Sequence, residues 1–101
     1  MNAVDRRGAV EAVERILNRG GEPRQVLAEV LEALRSRGIA YGAVRYAGDT
    51  VETGVPGSGT ISKPIVVRGA EVGSLTLAAD DEAFVERVAL LVSPYVPPAG
   101  S

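Results

Sequence analysis

KPIVVRGAEVGSLTLAADDEAFVERVALLVSPYV, residues 63–96, decides the fold class. Its first half reads as a strand, a tight turn and a second strand that together make an antiparallel hairpin. Gly69-Ala70 fits a two-residue turn with glycine first, which sets Arg68 opposite Glu71. Asp80 or Asp81 then caps a helix whose acidic first turn meets the positive end of its dipole. That helix is expected to end near Tyr95, and it is apolar on almost every side. Phe84, Val88, Leu91 and Tyr95 form one stripe, while Val85, Ala89, Val92 and Val96 form a second. A helix lying on a sheet with its back to water needs an apolar arc of only about 100°. Two stripes require two neighbours, the second being either helix one of the same chain or a second copy in a two-fold bundle.

The segment before the hairpin predicts two helices and a first pair of strands. Helix one is expected from Ala3 to Asn18, with Val10, Val13 and Leu17 at helical spacing and Gly20-Gly21 as its stop. Helix two starts at Pro23, whose fixed φ suits a first helical position, and runs through Val26, Leu27, Val30, Leu31 and Leu34 to Arg37. Gly38 ends it. Ile39–Tyr46 reads as a strand, Gly48-Asp49 as a turn and Thr50–Val55 as its partner. Gly54–Gly59 is a loop by composition, and Thr60–Val67 is the third strand. Pro64 lacks an amide hydrogen, so it belongs at a sheet edge or a bulge. Glu71–Ala78 is the fourth strand. Residues 1–96 are expected to form one domain, with 97–101 as an extended tail.

Composition narrows the function classes. The 101 residues suit one domain, and 46% hydrophobic with 24% charged residues is neither a disordered nor a membrane composition. Net charge is -2 without a basic cluster, so no nucleic-acid footprint is present. The chain has no cysteine and no histidine. Disulfides, thiol nucleophiles, zinc ribbons and Ser-His-Asp chemistry are thereby excluded. No apolar run spans a bilayer, and the expected location is the cytoplasm. No cofactor is implied.

The order helix-helix-strand-strand-loop-strand-strand-helix resembles a GAF domain. The resemblance rests on VLAEVLEAL (Val26–Leu34) followed closely by a strand, on KPIVVRGAEVGSLTL (Lys63–Leu77), and on DEAFVERVALLVSPYV (Asp81–Val96). It covers nearly all of the chain. It implies a non-catalytic module, sensory or dimerising, of the kind found beside kinases, cyclases and transcription activators, or a receptor for a small molecule such as a cyclic nucleotide. One departure is large. The family's pocket is roofed by elements inserted between the second strand and the closing hairpin, whereas Pro56–Thr60 replaces them here. Five extended residues reach about 17 Å, enough only to cross to the next strand. Cyclic-nucleotide binding of the family type is not expected.

Other chemistry is weak. Gly54–Thr60 superficially resembles a phosphate cradle, but Thr60 stands where a lysine is needed and a strand follows instead of a helix. Asp80-Asp81-Glu82 lacks the alternating ligands of a calcium loop and reads as helix capping. No metal site and no enzymatic activity are expected.

Two surfaces remain as candidates. If Gly73, Leu75 and Leu77 point at the helices, alternation turns Val72, Ser74 and Thr76 the other way. The expected register adds Lys63, Ile65 and Val67 to that opposite face, with Tyr41 or Tyr46, and Arg45, from the first strand. Tyr41, Arg45, Lys63, Ser74 and Thr76 would then form a shallow patch for an anionic ligand or a peptide. The second candidate is a helical dimer interface of Val10, Val13, Leu17, Val88, Leu91 and Tyr95, formed by helix one and the last helix with their symmetry mates. The expectation is an α+β domain, a small antiparallel sheet of four or more strands with three helices mainly on one face. It would act as a homodimeric sensory module with a possible kinase or transcription-regulator partner.

Overall fold

Helices two and three of the computed structural model, which describes residues 5–57 and 59–96, begin where the sequence signals place them, at Pro23 and after Asp81. α1 spans Arg6–Arg19 and is capped by Asp5, whose carboxylate accepts a hydrogen bond from the Gly8 amide. It starts later than the sequence pattern suggests, and Ala3 lies outside the described residues. Gly20, at φ 75°, ends it with an amide hydrogen bond to the Ile16 carbonyl. α2 spans Pro23–Ser36 with proline in its first turn. α3 spans Glu82–Val92, capped by Asp81 through the Phe84 amide, and a short 3-10 turn continues it over Ser93–Tyr95. Residues 97–101, expected as an extended tail, lie outside the described residues.

Four strands, β1 (Tyr41–Tyr46), β2 (Asp49–Gly54), β3 (Thr60–Val67) and β4 (Ala70–Ala78), form one antiparallel sheet in the order β2-β1-β4-β3. The first strand therefore sits beside the last, and β2 and β3 are the edges. α2 packs over β1 and β2, α3 over β3 and β4, and α1 against both helices. The core lies between the helices and one face of the sheet. Leu27, Leu31, Leu34, Ile65, Leu75 and Leu77 are fully buried there, each worth about 1.5–3 kcal/mol relative to exposure.

The hairpins depart from expectation in one instructive way. Their turns are Ala47-Gly48 and Arg68-Gly69, with positive φ at all four residues. Both are two-residue turns of the primed kind, whose twist matches the flanking strands. Val67 consequently pairs with Ala70, and a bulge between Ile65 and Val66 then sets Ile65 opposite Gly73, Lys63 opposite Leu75 and Ser62 opposite Thr76. The expected register, with Arg68 opposite Glu71 and Ile65 opposite Ser74, is corrected: it is off by two positions beside the turn, and the bulge leaves Ile65 and Lys63 off by one. A one-residue slip moves every side chain of a strand to the other face. Lys63 and Ile65 thus belong to the helix side, not to the side of Ser74 and Thr76.

Candidate functional site

The sheet face turned away from the helices carries Tyr41, Ala43 and Arg45 from β1, Thr50 and Glu52 from β2, Ser74 and Thr76 from β4, and Ser62 from β3, by cross-strand register. The Tyr41 hydroxyl donates to Glu52 Oε2 at 2.8 Å. That hydrogen bond, then burial of the phenol, then the carboxylate charge, raise the Tyr41 pKa. Thr76 is buried and shares a 2.6 Å hydroxyl contact with Ser62. Tyr41 and Thr76 are therefore committed to neighbours within the sheet.

Arg45 and Ser74 do meet. They line a concavity of about 510 Å³ at the β1–β2 turn, together with Asp49, Thr50 and Glu71. Asp49 is engaged by Arg24 of α2. The expected patch is thus split: Arg45 and Ser74 share a concave surface, Tyr41 and Thr76 sit beside it, and Lys63 is on the other side. Lys63 Nζ reaches Glu82 Oε1 of α3 at 2.9 Å. The hydrogen bond to Glu82, its charge and that of Glu86 raise the lysine pKa. Without Lys63, the face holds Arg45 against Glu52 and Glu71, a poorer electrostatic setting for an anion than the sequence suggests.

The helical candidate is also resolved by packing. Val13 and Val88 are fully buried within the single chain, so neither meets a second copy directly. Val10, Leu17, Leu91 and Tyr95 are half-buried and pack against the core. The two stripes of α3 are both occupied inside the chain, because α3 packs on the sheet and on α1. What remains exposed near this seam is its N-terminal end. A slot of about 480 Å³ between α1 and α3 is lined by Arg7, Val10, Glu11, Glu14, Phe84 and Arg87, with Arg6, Asp81 and Ala83 at its margin.

A third surface escaped the sequence reading. Leu90 is 65% exposed and Val66 45% exposed. They share a small groove of about 190 Å³ with Pro64, Ala89, Lys63 and Glu86, beside edge strand β3. The signal was present in Leu90, which falls on neither stripe of α3. Among the described residues, no group of His, Cys, Asp and Glu is placed to hold a metal ion, and no helix is long and apolar enough to cross a membrane. Comparison with protein-family models, with curated proteins and with solved structures gave no match to this chain.

Proposed function

We propose that the chain is a non-catalytic, GAF-like sensory or dimerisation module of a cytoplasmic signalling system, working through contact surfaces. The observation that carries this reading is the α1–α3 seam. Two helices from opposite ends of the chain lie together and leave an apolar slot between charged rims. A change at the sheet face or in a partner would be transmitted by a small change in the angle of this helix pair. The short β2–β3 connection supports the reading, since a roofed metabolite pocket needs walls on several sides. Sedimentation equilibrium from about 10 μM to about 1 mM tests it. A reversible dimer is expected, and a strict monomer across that range contradicts it.

The concavity at Arg45 and Ser74 favours a second reading, a receptor for a small ligand with an anionic group facing Arg45 and donors facing Glu71. A thermal-shift screen separates the two. A ligand at about 100 times its dissociation constant adds about 2.7 kcal/mol of stability.

A further inference from the structure

We infer, resting on the dimer-module reading above, that α1 pairs antiparallel with α1 of a second copy about a two-fold axis between Val10 and Glu11, exchanging Arg7 and Glu14. The slot at the seam supplies an apolar floor in Val10 and Phe84. Its charges single out the occupant. Arg6 is engaged by Asp81 at 3.1 Å and by Asp80 at 3.8 Å. Arg7, Arg87, Glu11 and Glu14 form no ion pair among the described residues. The slot therefore presents two cations and two anions around an apolar centre. An isologous contact sets a patch against itself, so a patch of one sign repels its copy, whereas a balanced one attracts it where the two-fold axis sets opposite signs together, as it does for Arg7 and Glu14.

The alternative surface fails that criterion. Around Leu90 and Val66 the charged side chains are Glu82, Glu86 and Lys63, and Lys63 is already held by Glu82. A copy docking there brings acid against acid.

Helix geometry then fixes the register. Arg7 and Glu14 lie two turns apart on one exposed line of α1 with Glu11 between them. In an antiparallel pair whose opposed positions sum to 21, Arg7 faces Glu14 of the second copy, and the symmetry repeats the contact about 10 Å away. Each α1 then lies over the other copy's slot, where Arg87 faces the acidic line of the incoming helix.

Charge reversal tests this pairing. Sedimentation equilibrium at low salt is compared for the wild type, Arg7→Glu, Glu14→Arg and an equimolar mixture of the two variants. Both residues are exposed, so thermal melts of the variants should match the wild type. Each single variant is expected to dissociate about tenfold or more readily, because it trades two attractions for two repulsions. The mixture should restore dimer. In the mixed pair the glutamate introduced by Arg7→Glu meets the arginine introduced by Glu14→Arg, and the unaltered Glu14 of the first variant meets the unaltered Arg7 of the second. A wild-type dimer indifferent to both reversals, or variants that weaken without restoration on mixing, overturns the pairing while leaving a dimer on another surface. A wild-type monomer overturns the dimer reading itself.

Discussion

The Tyr95 hydroxyl donates a 2.5 Å hydrogen bond to the Leu17 carbonyl, tying the turn after α3 to the last turn of α1. Carbonyls in the last turn of a helix have no partner within it. Ile16 finds one in the Gly20 amide, and Leu17 finds one 78 positions further along the chain. The bond closes the seam at its C-terminal end and gives the stripe of Phe84, Val88, Leu91 and Tyr95 its neighbour within the chain. Tyr95→Phe should lower stability by about 1 kcal/mol in denaturant titration, with native-state hydrogen exchange rising first at the C-terminal end of α1.

Ala47 and Arg68 sit at φ 49° and 53° in the first positions of their turns. A side chain there costs about 1 kcal/mol that glycine avoids. Ala47→Gly should therefore raise stability by up to about 1 kcal/mol, seen as a melting temperature several degrees higher. Ala47→Val should lower it, since branching worsens the same clash.

Gly73 of β4 leaves no room for a side chain against β1. A Cβ added there would lie 2.2 Å from the Arg45 carbonyl oxygen, which is backbone and cannot move alone. Gly73→Ala should cost about 1–3 kcal/mol or more in a thermal or denaturant melt. Gly42→Ala should cost less. Its Cβ meets Leu31 Cδ2 at 2.9 Å and Leu77 Cδ2 at 3.0 Å, both ends of flexible side chains.

Asp5 gives the acid limb of stability a defined component. Its carboxylate accepts the Gly8 amide at 3.0 Å and the Arg37 guanidinium at 2.9 Å. The backbone hydrogen bond first, then Arg37, hold its pKa below the ordinary aspartate value. The folded pKa lies below the unfolded one, so the contribution is complete above the unfolded value and disappears as pH falls through the folded value. Asp5→Ala should be less stable than the wild type at neutral pH. The difference should close when unfolding is followed from about pH 7 to about pH 2.

Most of the architecture was legible because helix periodicity and glycine stops are local signals. α2 is the clearest case, since Val26, Leu27, Val30, Leu31 and Leu34 mark its buried face and Pro23 its start. The face of β3 was not legible. Moving a two-residue turn from Gly69-Ala70 to Arg68-Gly69 shifts the pairing by two positions and leaves the faces unchanged, so the face of β3 depended on the bulge at Ile65 and Val66, which has no sequence signal. The bulge moved Lys63 from the expected ligand patch to a contact with Glu82. For α3 the two stripes correctly announced two neighbours. Periodicity holds no information on whether a neighbour belongs to the same chain, and here α1 fills that place. The slot beyond it depends on which exposed charges lack partners, a property only the packed helices reveal.

The chain contains no cysteine, so one introduced thiol reports a single position. Two cysteines join only when their Cα atoms come within about 7 Å. The most direct measurement is the yield of disulfide-linked dimer after mild oxidation of Glu11→Cys, beside Leu90→Cys under identical conditions. An α1–α1 two-fold next to residue 11 predicts rapid cross-linking of Glu11→Cys and little of Leu90→Cys. Cross-linking through Leu90→Cys alone, or through neither, would contradict it.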